Sequence, residues 1–273
     1  MKFDSTLKRA SAFLFLLLFT LGTVPGREGF EGPKMISVRG GTFFMGSNEG
    51  SYAFNEKVHK VSLGSFLISE TEVTQGLYES VMSANPSHYK GAELPVENVS
   101  WFDAVRFCNA LSLRMGLPAA YTIEGEKITW NREAKGFRLP TESEWEYAAR
   151  GGPQGAGSEA LEQSPYAGGT DAEAYCWYRS NSGGRTQQVK TKLPNQLGLY
   201  DMSGNVWEWC WDWHNAYPDE AASDPDGGEG GRTKIMRGGA WFVTRNLLRV
   251  TFRVSNPAAY RADSLGFRVA QNG

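Results

Sequence analysis

Between Phe242 and Ser264 the chain has no Lys, Glu, Gln, Met or Trp, and no Cys or His. The first five types make up about a fifth of the whole chain, so roughly four or five would be expected in such a window. Burial in strands excludes long polar side chains, yet Asn246, Arg249, Arg253, Asn256, Arg261 and Asp263 all stand in this window. Burial alone does not account for the gap. Cysteine is scarce throughout: Cys108, Cys176 and Cys210 are the three in the chain. They show no CxxC spacing, which argues against a zinc centre or a thioredoxin-like redox pair. One disulfide beside one thiol, or three buried thiols, both fit that count. An excess of one charge is missing too. A net charge of -2 and a pI near 6.0 argue against a general nucleic-acid binder, so no nucleic acid is expected as a partner. Beyond Ala12–Leu21 there is no long apolar run, so the mature chain is expected to have no membrane span.

That one apolar run belongs to a three-part leader. Lys2, Lys8 and Arg9 precede it and Val24-Pro25-Gly26 follow it, the build of a secretory signal over residues 1–26. Its removal leaves roughly 245 residues, enough for one large domain or two small ones. Nine Trp, fifteen Phe, eleven Tyr and thirty-two Gly point to a loop-rich fold held by aromatic anchors instead of a helical bundle.

Along the chain, Met35–Val38, Arg39-Gly40-Gly41 and Thr42–Gly46 read as strand, turn and strand of a hairpin. Thr74 is expected to cap a short helix over 75–82, with Leu77, Tyr78 and Val81 inward. Ser100 and Asp103 open a longer helix over 101–115, with Val105, Cys108, Leu111 and Leu113 as its apolar stripe. A small hairpin over 121–130 turns at Gly125. Thr141 and Glu144 form a capping box for a helix closed by Gly151-Gly152, and Glu142, Glu144 and Glu146 suit capping and ion pairing better than catalysis. Trp207, Trp209, Trp211 and Trp213 alternate, which puts the four indoles on one face of a strand and Glu208, Cys210 and Asp212 on the other. A buried carboxylate there needs a partner, either a tail arginine or a metal ion. Asn205, Glu208 and nearby carbonyls are hard oxygen donors of the kind calcium takes. Asp219–Gly231 is acidic and glycine-rich without the ligand spacing of an EF-hand.

The tail is framed by Gly238-Gly239-Ala240-Trp241 and by Leu265-Gly266-Phe267-Arg268-Val269. The glycines permit backbone approaches that a Cβ would block, and the alternation of Leu265, Phe267 and Val269 has the period of a half-buried strand.

GTFFMGS at 41–47, ETEVTQGLY at 70–78, PVENVSWFDAVRFCN at 95–109, FRLPTESEWEYAARGG at 137–152, GLYDMSGNVWEW at 198–209, RGGAW at 237–241 and LGFRVA at 265–270 together resemble the formylglycine-generating enzyme, or sulfatase-modifying factor, family. The resemblance runs in order over residues 33–271. It implies an α+β chain in a loop-rich C-type lectin fold, with short antiparallel sheets and two or three flanking helices. It also implies structural calcium, held by the Asn205 and Glu208 side chains and the Val206 and Cys210 carbonyls. Family enzymes oxidise a substrate cysteine with a copper-binding cysteine pair that lies between the two tail motifs. Here 242–264 has no cysteine, and no Met or His to replace one as a soft ligand. No copper and no oxidase activity are therefore expected.

The interior of the tail resembles instead the variable proteins of diversity-generating retroelements. In those, adenine-directed mutagenesis of AAC or AAT codons yields a residue set that excludes Lys, Glu, Gln, Met and Trp. Every residue from 242 to 264 belongs to the permitted set. The positions expected to vary and to bind ligand are Phe242, Val243, Thr244, Asn246, Leu247, Phe252, Val254, Ser255, Ala258, Ala259, Tyr260, Ala262, Asp263 and Ser264. Arg249, Arg253 and Arg261 fall at multiples of four residues. They are expected either to brace the loop against acids such as Glu208 or Asp212, or to form a solvated basic edge. The expectation is a non-catalytic exported protein, a monomer on a bacterial cell surface, in a periplasm or secreted, whose segment 237–270 displays a site for a protein or other surface ligand. The alternative is a sulfatase-modifying oxidase or a degenerate relative of one.

Overall fold

Capping decides where the helices of this chain begin. Thr74 Oγ1 accepts from the Leu77 amide at the start of α1 (Gln75–Met82). Ser100 and Asp103 close a reciprocal capping box at α2 (Trp101–Arg114), and Thr141 and Glu144 another at α3 (Glu142–Ala149). Each box satisfies two amides that the first turn leaves without partners. A fourth, four-residue helix, α4 (Ala172–Tyr175), starts at Asp171. These elements come from a computed structural model that describes residues 30–48, 55–154, 164–228 and 230–273. The expected signal segment, 1–26, lies outside the described residues.

Among the described residues, short strands make four small sheets. β1 (Met35–Val38), β4 (Phe66–Ser69) and β12 (Ala270–Asn272) form one, with both outer strands antiparallel to β4. β2 (Gly41–Met45), β3 (His59–Leu63) and β8 (Ala222–Ser223) form a second. The small hairpin β5 (Tyr121–Glu124) and β6 (Lys127–Trp130) turns through Gly125 at φ 66° as expected. The sheet that positions the tail runs in the order β10 (Arg253–Asn256), β9 (Lys234–Arg237), β7 (Trp207–Trp213), β11 (Leu265–Gly266).

Two local expectations fail. β1 and β2 do not pair as a hairpin: β1 pairs with β4, and β2 with β3. The Gly40 backbone passes so close to the 63–65 segment that a Cβ would lie 2.4 Å from the Leu63 carbonyl oxygen. The glycines thus carry the chain from one sheet into the next. β7 is an interior strand, paired at one edge with β9 and at the other with β11. Trp207, Glu208, Trp209, Cys210 and Asp212 are all buried. On α2, Leu113 points outward, 64% exposed, while Trp101, Ala104, Val105, Phe107, Cys108 and Leu111 supply the buried face.

The core joins the sheets to α3. Val38, Phe43, Phe66, Ile68, Trp145, Tyr147, Met202, Ile235 and Val250 pack in one apolar cluster. Burying side chains of this size is worth about 1.5–3 kcal/mol each before conformational entropy is subtracted.

Candidate functional site

The tail leaves β9 through Gly238 and Gly239, at φ 95° and 82°. A Cβ on Gly239 would sit 2.8 Å from Leu248 Cδ2 and 2.9 Å from the Leu247 carbonyl oxygen, so the chain folds tightly back on itself here. A 3-10 turn at Arg245–Leu247 follows, then β10, a turn in which the Tyr260 amide donates to the Pro257 carbonyl (2.8 Å), and β11.

Arginines strap this path to the scaffold. Arg249 meets Glu56 at 2.9 and 2.8 Å, and Arg253 meets Glu142 at 2.7 and 2.6 Å, both as two-pronged contacts. Arg261 pairs with Asp103 at 2.5 Å. Arg268 meets Glu208 at 2.7 and 2.8 Å, and the Trp145 indole donates to the same carboxylate at 2.7 Å. Arg237, just upstream, pairs with Glu146 and reaches Glu142 at 3.3 Å. Bracing is thus the arrangement found, but Glu208 and Asp212 are not the partners of Arg249, Arg253 and Arg261. Glu208 is taken by Arg268, and Asp212 Oδ2 instead accepts from the Glu142 amide at the start of α3 (2.7 Å). Planar guanidinium forks on carboxylates fix orientation as well as distance.

The fourteen positions expected to bind ligand divide by burial. Phe242 and Tyr260, 40% and 43% exposed, lie open on the surface with Thr244, Asn246 and Ala259. Leu247, Val254, Ser255, Ala258, Ala262 and Asp263 are half-buried. Val243, Phe252 and Ser264 are not offered to the outside, at 3%, 4% and 5% exposed. Phe252 packs on Trp207 with ring centroids 6.1 Å apart. Val243 lies under the 179–182 segment, its carbonyl accepting from the Arg179 amide, and the Ser264 carbonyl accepts from the Trp207 amide. These three belong to the support of the site.

Sequence reasoning missed the residues beside the tail. Tyr89 and His88 come from the loop after α1, and Arg179, Ser182 and Arg185 from the segment after α4. The Ser182 hydroxyl donates to the Trp241 carbonyl (2.8 Å) and Arg179 Nε to the Phe242 carbonyl (2.8 Å). Loop residues more than fifty positions away carry no periodic signal that would place them there.

In this structure three of the groups expected to hold calcium have protein partners. Asn205 Oδ1 accepts from the Gln187 amide, and its Nδ2 donates to Glu72. The Cys210 carbonyl accepts from the Trp101 indole (2.9 Å), and Glu208 is neutralised by Arg268. Among the described residues no group of three or more His, Cys, Asp or Glu is placed to hold a metal ion. Two further carboxyls in this region, Glu72 and Asp201, are buried. Burial, aided by the neighbouring Asp201 and Glu208, pushes the Glu72 carboxyl well up, and burial pushes Asp201 up to about 6.

The three cysteines are unpaired and buried. Cys108 lies in α2, Cys176 at the end of α4 and Cys210 in β7. Burial raises all three thiols above their ordinary range, opposite to the lowered value that makes a thiolate nucleophile or copper ligand.

Comparison with known proteins agrees with this architecture. Treponema denticola variable protein 1 superposes with a TM-score of 0.81 at 35% identity, over 88% of this chain and 95% of that one. Chaperone protein LppX of Paenibacillus barcinonensis is 35% identical over 264 residues, 85% of each chain. The formylglycine-generating enzyme of Streptomyces coelicolor is 31% identical over 287 residues, 87% of this chain and 88% of its own. Relatives at this level thus include both a variable protein and a formylglycine-generating enzyme. The sulfatase-modifying factor enzyme 1-like domain matches residues 21–273, and with the fold these relatives share, this chain belongs to that family, in its loop-rich C-type lectin form.

Proposed function

We propose that this chain is an exported, non-catalytic binding protein that presents a protein-recognition face from residues 242–263 of its tail. The observation that carries this reading is the division of labour within the tail. Arg249, Arg253 and Arg261 are anchored to Glu56, Glu142 and Asp103, while Phe242 ahead of these anchors and Tyr260 between two of them stand exposed. Rigid aromatic side chains on a preorganised frame bind with little entropy loss. The likeness to Treponema denticola variable protein 1 supports the same reading.

The oxidase reading draws on the Streptomyces coelicolor relative. It requires an accessible thiolate pair, whereas burial closes off Cys108, Cys176 and Cys210 and raises their thiols.

The test is selection of a displayed random-peptide library on the immobilised protein, followed by affinity measurement on Phe242→Ala/Tyr260→Ala. Loss of affinity by about tenfold or more is expected for exposed aromatic anchors. Selected peptides that bind the double variant as tightly as the parent place the site elsewhere.

A further inference from the structure

Next to the tail a row of rings runs across the surface on residues outside the displayed segment. His88 and Tyr89 have ring centroids 4.7 Å apart at 86°, Tyr89 and Trp241 5.8 Å at 89°, and Trp241 and Phe242 5.4 Å at 69°. Each ring meets the next edge-on, an arrangement aromatic pairs favour. The row is pinned from below: Trp241 donates its indole proton to the Asp263 carbonyl (3.2 Å), and the Tyr89 hydroxyl donates to the Gly184 carbonyl (3.1 Å). Only its last ring, Phe242, belongs to the positions expected to vary.

Two guanidiniums flank the row. Arg185 lies over the Tyr89 ring at 5.5 Å from its centroid, and Arg179 is held by the Phe242 carbonyl. Both are exposed. Among the ion pairs of the described residues neither takes part, while their basic neighbours Arg245 and Arg261 are already matched to Glu173 and Asp103. Acid is present too: Glu97 is buried beneath Tyr89, accepting from its amide, and Asp263 acts on the same tyrosine. Asp263, however, is itself one of the displayed positions, and Glu97 has its carboxyl held toward the protonated form chiefly by burial. The fixed part of the face therefore offers two cations outside any ion pair of the described residues, beside a row of edge-on aromatic rings.

Resting on the binding reading above, we infer that His88, Tyr89, Trp241, Arg179 and Arg185 form a constant half of the recognition face, and that this half takes a carboxylate-bearing peptide segment whatever the tail displays. An arginine fork matches a carboxylate in geometry as well as charge, and arginine, tyrosine and tryptophan carry most of the energy at protein interfaces. A polyanionic nucleic acid is disfavoured by the chain's net charge of -2. The constant half sets the chemical class of partner, and the displayed half selects within it.

The experiment uses the peptides selected above. Enrichment of Asp and Glu over the naive library is expected, with affinity that weakens as salt is raised and falls about tenfold in Arg179→Gln/Arg185→Gln. Arg185→Gln alone is the control for folding, because that side chain's recorded contact is with the Tyr89 ring; it is expected to retain the parent melting temperature and lose part of the affinity. Peptides without acidic enrichment, binding indifferent to both variants, or tighter binding of an oligothymidylate than of any selected peptide would overturn the inference. If Phe242→Ala/Tyr260→Ala abolishes binding while the arginine variants leave it intact, the inference fails alone. If neither set has an effect, the displayed face fails with it.

Discussion

Arg253 on β10 reaches across 111 residues of sequence to Glu142, the first residue of α3, and its Nε and Nη2 meet the two carboxylate oxygens at 2.7 and 2.6 Å. Both side chains are almost wholly buried. Deleting one partner of a buried pair strands the other charge, which costs about 3–5 kcal/mol. Arg253→Met is accordingly expected to lower unfolding stability by about 3 kcal/mol, the low end, since Arg237 and the Tyr217 hydroxyl still reach Glu142. Asn246→Ser and Tyr260→Ser, at exposed positions whose side chains take no part in the tail's ion pairs, should each change it by no more than about 0.5 kcal/mol. Urea unfolding of the three variants measures both. A tolerated Arg253→Met would show that the tail is not held by its ion pairs.

The same division predicts which tail positions accept diversity. Phe252→Ala empties a buried aromatic site against Trp207, at a cost of about 3–5 kcal/mol. In a saturation library sorted for folded, displayed protein, positions 242, 244, 246, 259 and 260 should tolerate most residue types. Positions 243 and 252 should narrow to apolar ones, and 264 to small ones. Equal tolerance at 252 and 260 would contradict the packing described here.

The caps were legible because they are local. Ser100 with Asp103 and Thr141 with Glu144 each lie within four residues, and both boxes form as expected. For Arg249, Arg253 and Arg261 the spacing leaves bracing and a solvated basic edge both open, and their partners Glu56, Glu142 and Asp103 are fixed by topology over long sequence separations that spacing does not show. Alternation in Trp207–Trp213 correctly gave a strand. It could not show that β9 and β11 flank it at both edges, nor choose between the two partners expected for Glu208, a metal ion or a tail arginine; in this structure the partner is the tail arginine Arg268. Val243, Phe252 and Ser264, expected among the displayed positions, are buried in the fold for a similar reason: residue type marks what a codon permits, and burial is decided by what packs above.

Buried carboxyls give stability an unusual pH dependence. Asp201 is raised from 3.8 to about 6, mainly by burial, with Glu208 adding to the rise while the Lys190 amide and Arg268 oppose it. A raised carboxyl holds its proton more tightly folded than unfolded. Its contribution is therefore fully present below the unfolded value and is lost as pH climbs through the folded one. Asp201→Asn removes this dependence, so the stability of the parent relative to the variant should fall by about 2 kcal/mol between pH 4 and pH 7. Chemical unfolding of the pair across that range measures the difference. A gap that stays constant, or widens with pH, would mean that Asp201 is ionised in the fold and neutralised by a partner other than Arg268.

Thiol accessibility separates the binding protein from an oxidase most directly. A cysteine that forms a copper thiolate or attacks a substrate must reach solvent and ionise near neutral pH. In this chain Cys108, Cys176 and Cys210 lie in three different elements, each buried, and burial is the largest cause of the rise in every thiol. Ellman's reagent is expected to label none of the three in the native protein at pH 8 and all three after denaturation. Copper added under reducing conditions should leave a cysteine peptide unoxidised beyond the rate with free copper, and replacing Cys176 with Ser should change nothing in that assay. Rapid native labelling of two thiols, together with peptide turnover that the Cys176 change abolishes, would restore the oxidase reading and make the exposed tail the wall of a reaction pocket instead of a recognition face.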